Sequence, residues 1–285
     1  MKSLLVVLES IKFEHTVFAL PFAFLGAFLA ARGFPGWETS FWIMAAMVGA
    51  RSAAMSFNRL VDREDDRLNP RTRNRALPQG MLSTRFVALF ILASSLLFLA
   101  SAWMLNDLAF QLSPLALAII LAYSYTKRFT AFSHLILGLA LAIAPVGGWI
   151  AVRGEMDLAP FYVAAAVLFW VGGFDIIYAC QDCEFDRKMG RFSLPSKWGI
   201  KTALRLSALC HVMMMACLMA SFFYFQLSLF SWVGLALVAV GLIYEHSLVN
   251  PDDLSRLNAA FFTLNGIISL VLFTFVSLDL WLFAA

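Results

Sequence analysis

Nine apolar runs divide this sequence almost end to end, at about residues 15–31, 40–60, 84–105, 108–126, 133–152, 159–181, 203–225, 227–244 and 257–281. Each is long enough to cross a hydrocarbon layer of about 30 Å as a helix, allowing for tilt and ragged ends. Composition points the same way: 61% of the residues are hydrophobic and 14% charged, with a mean hydropathy of +0.81. A soluble domain carries roughly a quarter charged residues. The expected fold is therefore an all-α membrane protein, with nine transmembrane helices bundled in one domain over residues 1–285. A lipid bilayer is the expected surrounding, and no nucleic-acid partner is expected. The first run opens at His15 and lacks a small-residue cleavage pattern after it, so it reads as a retained helix. Spans three and four are joined by Asn106 and Asp107 alone, and seven and eight turn near Gln226, which predicts two tight hairpins.

Charge sorts by side. Of twenty-one lysines and arginines, only Arg32 and Arg153 fall in loops on the far side, while Arg51 lies inside span two. All the others share the side of the N-terminus, which the positive-inside rule makes cytoplasmic. The protein is thus expected in a cell inner membrane, with its polar loops facing the cytoplasm. The four cysteines fall in or beside apolar segments. Cys180 and Cys183 form a CxxC without a second pair or nearby histidine, so buried, reduced thiols are expected.

The most informative stretch runs from Arg51 to Gly80, where an apolar span ends in a loop crowded with charge. Asn58, Asp62 and Asp66 stand at i, i+4 and i+8. They step by about 40° each around a helix, so all three face one way. A positive-inside anchor would explain some of the arginines that follow, including Arg71 and Arg75, but not acids on a regular helical step. Arg51 lies two turns below Asn58 on the same face. A guanidinium at that depth marks either a functional site or an interhelical ion pair.

This stretch has one echo. Asp182 and Asp186 repeat the four-residue step, and Asp175 precedes Asp182 by seven residues, as Arg51 precedes Asn58. The repetition suggests two related four-helix halves, spans one to four and five to eight, with Arg51 and Asp175 paired across the pocket between them. Between the halves, span four ends in YSYTKR, which places Tyr123, Tyr125, Lys127 and Arg128 at the inner edge. They read as interfacial anchors or as further positive charge for an anionic head group. In span five, APVGG supplies small residues that let helices approach closely. His211 and the neighbouring methionines read as packing or lipid-facing residues.

Two acid clusters on helix ends at one membrane face suit a hard divalent cation. Magnesium typically bridges one or two carboxylates to substrate phosphates. Asn58 adds an amide oxygen, and the arginines and Lys127 can hold further phosphate oxygens. A diphosphate fits this set better than metal storage, with its head at the inner edge and a hydrophobic tail in the bundle.

The motifs NxxxDxxxD (Asn58, Asp62, Asp66) followed by RTRNRALPQG, then YSYTKR, then YACQDCEFDRKMG, resemble the UbiA superfamily of intramembrane aromatic prenyltransferases, over nearly the whole chain. Within it the sequence looks like the 4-hydroxybenzoate polyprenyltransferase group, which includes menaquinone-pathway relatives acting on a dihydroxynaphthoate. It departs at Arg59, where the common form of the first motif has aspartate. The resemblance implies magnesium-dependent transfer of a polyprenyl group from polyprenyl diphosphate to a ring carbon of a small aromatic acid, in ubiquinone or menaquinone biosynthesis. By motif position, Asn58, Asp62, Asp66, Asp182 and Asp186 hold the metal and diphosphate, and Arg71, Arg75, Lys127 and Arg128 clamp phosphate. Arg51, Tyr123, Asp175 and Tyr178 orient the acceptor or take the final ring proton. Two other readings remain: a family branch acting on haem, a chlorophyll precursor or homogentisate, and a transporter, which keeps charged groups near the bilayer midplane.

Overall fold

A computed structural model describes residues 2–10, 16–257 and 263–283. His15 and the opening turn of the ninth expected span lie outside the described residues. Every regular element among those described is helical: α1 (Lys2–Ser10), α2 (Thr16–Ala31), α3 (Trp37–Val61), α4 (Arg63–Leu68), α5 (Thr84–Leu105), α6 (Asp107–Ala122), α7 (Ser133–Arg153), α8 (Ala159–Ala179), α9 (Cys183–Met189), α10 (Leu194–Trp198), α11 (Ile200–Phe225), α12 (Leu229–Ser247) and α13 (Asn265–Phe283). Short 3-10 turns extend α6 over Tyr123–Arg128 and link α8 to α9 over Cys180–Asp182.

Seven segments among the described residues are long and apolar enough to cross a membrane: α5, α6 with its 3-10 extension, α7, α8 continued through α9, α11, α12 and α13. The chain is a multi-pass membrane protein. α2 is a shorter apolar helix, and α3 has 25 residues but carries Arg51 and Arg59 in its C-terminal half. The long helices form a closed ring in which each packs on the next, from α2 to α3, α5, α6, α7, α8, α11, α12 and α13. α13 then returns to α2, and α2 and α7 cross it. A core of Phe22, Leu25, Trp149, Val167, Trp170 and Leu272, among others, joins α2, α7, α8 and α13.

Both expected hairpins form. Asn106 caps α6 by accepting from the Ala109 amide at 2.9 Å and ties the turn to α7 by donating to the Ile150 carbonyl at 2.8 Å. Gln226 takes the left-handed conformation (φ 55°) that ends α11. One acid inside the bundle has a purely architectural role. Asp279 of α13 accepts from the Ser228 amide at 2.9 Å and the Ser231 amide at 3.3 Å, satisfying the otherwise orphaned N-terminus of α12. His211 proves to be buried, its Nδ1 at 2.9 Å from Nε2 of His246, which selects packing over a lipid-facing position. Asn265 donates to Glu245 Oε1 at 3.0 Å, joining α13 to α12.

Small residues set the closest approaches. A Cβ built on Gly148 would lie 2.0 Å from the Ala23 carbonyl oxygen, and one on Gly26 would lie 2.0 Å from that of Pro145. The APVGG stretch thus lets α7 touch α2 backbone to backbone. Gly138 does the same for α7 against α8, where an added Cβ would meet the Leu168 carbonyl oxygen at 2.2 Å.

Candidate active site

Within the ring, α2, α3, α5, α6, α7 and α8 line a cavity of about 1020 Å³. Its wall is mostly small and apolar, reaching Ile150 and Met156 at the far end, while acids and bases line the other end, its mouth. At that end α3 and α8 are both interrupted at an aspartate. Asp62 (φ −87°, ψ 2°) separates α3 from α4, and Asp182 (φ −100°, ψ 5°) separates α8 from α9. Both sit in the sparsely populated bridge region that active-site residues often occupy. The helical hydrogen bonds persist across the first kink, from the Asp62 amide to Asn58 and from the Asp66 amide to Asp62. The two acid motifs therefore share a backbone device as well as a spacing.

The acids alternate with cations. Lys127 Nζ is 2.8 Å from Asp62 Oδ2 and 4.0 Å from Asp65 Oδ2. Arg75 Nη1 donates to both oxygens of Asp66, at 2.7 and 2.8 Å. Arg71 grips Asp182 with Nε, at 3.0 Å from Oδ1, and with Nη2, while its Nη1 donates to the Tyr178 hydroxyl at 3.0 Å. Arg191 Nη2 donates to Asp65 Oδ1 at 2.6 Å. Asn58 Nδ2 donates to Asp62 Oδ2 at 3.1 Å, and Ser193 Oγ to Asp186 Oδ2 at 2.7 Å. Burial raises the Asp62 carboxyl above the ordinary carboxylate range, although Lys127 pulls it down. Burial alone would lower the Arg71 guanidinium, but its pairing with Asp182 outweighs this and raises it.

Arg71 and Arg191 make a reciprocal exchange. Each stands nine residues after the lead aspartate of its own motif and reaches an acid of the other. Asn69 Nδ2 reinforces the crossing by donating to Asp182 Oδ1 at 3.0 Å. The loops after the two motifs thus tie the motifs to each other at the polar end of the cavity.

The sequence expectations meet this geometry as follows. Asn58, Asp62, Asp66, Asp182 and Asp186 line the polar end of the cavity, with Arg71, Arg75 and Lys127 among them. Arg51, Tyr123, Asp175 and Tyr178 line it too. Arg128 is directed elsewhere: its Nη2 donates to the Val61 carbonyl at 2.8 Å, at the end of α3, and its guanidinium lies over the Tyr125 ring. Arg51, the expected counter-charge of Asp175, shares the cavity wall with it, and His134 Nδ1 is 2.7 Å from Asp175 Oδ2.

Asp65, Asn69, His134, Arg191 and Ser193 were not anticipated. Asp65 lies off the four-residue step, and Asn69 stands before Pro70, where a helix is expected to end. The nine-residue offset of Arg191 from Asp182, matching that of Arg71 from Asp62, was the one available signal.

Residues 19–267 match the model of the UbiA prenyltransferase family. The chain belongs to that family. This UbiA-family chain is accordingly a prenyltransferase, and it resembles proteins named 4-hydroxybenzoate octaprenyltransferase. The one from Vesicomyosocius okutanii is 30% identical, over 90% of this chain and 93% of its own length. That from Nitrosospira multiformis is 31% identical, over 89% of this chain and 87% of its own. Among solved structures, the apo UbiA homolog from Aeropyrum pernix K1 superposes with a TM-score of 0.86 at 36% identity, covering 93% of this chain and 98% of its own. A UbiA homolog from Archaeoglobus fulgidus, solved with GPP and Mg2+, shares the fold at 21% identity (TM-score 0.75; 96% of this chain, 99% of its own).

A divalent metal can be tested against the residues themselves. Among the described residues no three His, Cys, Asp or Glu side chains form a ready-made cage. On the cavity wall two buried carboxylate oxygens nevertheless lack any hydrogen-bond partner, Asp62 Oδ1 and Asp65 Oδ2. Orphaned anionic oxygens at the cavity mouth fit a hard cation, and magnesium needs only one or two carboxylates when substrate phosphates complete its shell.

Proposed function

We propose that this prenyltransferase moves a polyprenyl group from its diphosphate to a ring carbon of a small aromatic acid, with 4-hydroxybenzoate as the acceptor and magnesium as the cofactor. The observation that carries this reading is the division of one cavity into a charged mouth and a long apolar barrel. The diphosphate sits at the mouth and the isoprenoid tail lies along the wall toward Ile150 and Met156. Relatives named for 4-hydroxybenzoate, and a neighbour solved with GPP and Mg2+, support it.

Asp62, Asp65, Asp66, Asp182 and Asp186, with Asn58, would hold the metal. When bound, magnesium neutralises charge on the leaving diphosphate. Lys127, Arg71, Arg75 and Arg191 trade their carboxylate partners for phosphate oxygens, adding stabilisation where negative charge grows in the transition state. The apolar wall excludes water, so the allylic cation meets the acceptor ring and not a hydroxyl. Arg51, Tyr123, Tyr178 and Asp175, on the wall below the acid layer, orient the acceptor. α2 and α3 complete nine spans, in two related halves, and the basic end faces the cytoplasm from an inner membrane.

The experiment is a transfer assay on purified protein in lipid nanodiscs, offering 4-hydroxybenzoate, a dihydroxynaphthoate and homogentisate beside a polyprenyl diphosphate. Product with 4-hydroxybenzoate is expected to exceed the others at least about tenfold in kcat/KM, a difference of about 1.4 kcal/mol in transition-state binding. Chelation of divalent metal should abolish turnover. Preference for another acceptor, or full activity after chelation, would overturn the corresponding part.

A further inference from the structure

His134 stands in the first turn of α7, where no motif marks it. The close approach of α7 to α8 at Gly138, one turn further along, presses His134 against the end of α8 that carries Asp175. The imidazole is buried, with 5% of its side chain exposed, whereas Asp175 keeps 23% of its side chain open on the cavity wall. The two ring nitrogens have different partners. The Leu194 amide, at the start of α10, points at Nε2 from 3.4 Å. A backbone amide can only donate, so Nε2 accepts and the ring proton sits on Nδ1, where it faces Asp175 Oδ2 at 2.7 Å. Ser193, the residue before Leu194, bonds Asp186, so the same short cap fixes the imidazole and touches the diphosphate layer.

We propose that His134 is a positioning residue for prenyl transfer: it holds Asp175 aimed as the base for the ring proton that the acceptor must lose. The inference rests on the aryl prenyl-transfer reading above. In that reaction the donor C–O bond breaks with its electron pair leaving on the diphosphate, and ring π electrons form the new C–C bond. The C–H bond at the same ring carbon must then break. Its pair returns to the ring, and its proton passes to the Asp175 oxygen that His134 does not occupy. Donation from Nδ1–H to the other oxygen fixes the carboxylate's rotamer. The arrangement follows the general logic of a base oriented by a third group.

The test compares His134→Leu, His134→Asn and the wild type, with 4-hydroxybenzoate carrying hydrogen or deuterium at the positions ortho to the phenol. Asparagine keeps an N–H near the place of Nδ1, and leucine does not. His134→Leu is expected to lower kcat by about 10- to 100-fold, short of the ~10²–10⁴-fold contribution of a general base itself. KM for the prenyl diphosphate should stay within about twofold, since the donor head lies elsewhere. With leucine, ring deprotonation becomes rate-limiting, so a primary deuterium isotope effect absent from the wild type appears. His134→Asn should restore most of the rate and remove the isotope effect. An unchanged rate in His134→Leu would overturn the proposal. So would a rate loss shared equally by both variants with no isotope effect, the mark of a merely structural histidine. No aromatic product from the wild type would instead overturn the transfer reading together with this inference.

Discussion

Asp62→Asn and Asp182→Asn are each expected to lower prenyl transfer by about 10²–10³-fold or more, the scale seen when one preorganised charge-stabilising group is removed from a transition state. The two positions lie 120 residues apart in sequence, yet both sit at a helix interruption at the mouth of one cavity, with nearly equal backbone angles. Asparagine keeps the size of the side chain and an oxygen for the neighbouring cation, so Lys127 and Arg71 lose charge pairing but not contact. Both cations are about one-third exposed and can draw on water, which limits the loss of stability. Yield and thermal unfolding in detergent should therefore stay near those of the wild type while turnover disappears. Glu64→Gln is the control. Glu64 is two residues from Asp62, but it lies on the outer surface, paired with Arg63 and Arg67, and its loss should leave the rate unchanged. Near-normal turnover in either aspartate variant would contradict the site.

Gly148→Val is expected to destroy the fold and not merely the activity. The first carbon of any side chain at this position would meet the backbone oxygen of Ala23 at 2.0 Å, and backbone on both sides leaves nothing flexible to yield. α2 and α7 would have to separate, opening the core that contains Phe22 and Trp149. A loss of about 3 kcal/mol, the top of the usual range for overpacking, is the minimum expected. The adjacent residue gives the contrast. Gly147 faces the cavity with nothing within 4 Å of an added Cβ, so Gly147→Ala should fold normally. Size-exclusion profiles and thermal unfolding of the two purified variants check both outcomes.

Much of this was legible in the sequence because membranes impose length. The helix limits of α5 at 84–105 and α7 at 133–153 follow apolar runs that must span a fixed thickness. The four-residue steps of Asp62–Asp66 and Asp182–Asp186 were readable for a similar reason, since a helical period is local. Contacts between the two motifs are not local. Arg191 reaches Asp65 across 126 residues and Asn69 reaches Asp182 across 113, through loops that no periodicity governs. His134 was invisible for the same reason: a lone histidine acquires its meaning only when α7 packs on α8. Arg128 was misplaced because its charge suggested a phosphate, whereas its geometry serves the carbonyl that ends α3. The straight-helix reading of Asn58, Asp62 and Asp66 also left out Asp65, which the kink at Asp62 brings into the cavity wall.

The proposed reaction brings a diphosphate head and an aromatic ring together in one cavity so that a carbon–carbon bond forms. The most direct measurement incubates the reconstituted wild-type protein with a polyprenyl diphosphate, labelled 4-hydroxybenzoate and magnesium, then follows diphosphate release and identifies the product by mass spectrometry and NMR. One diphosphate is expected to be released per aromatic product, with the prenyl group on the ring carbon next to the phenol. Diphosphate released without a prenylated ring, or a product linked only through oxygen, would contradict it.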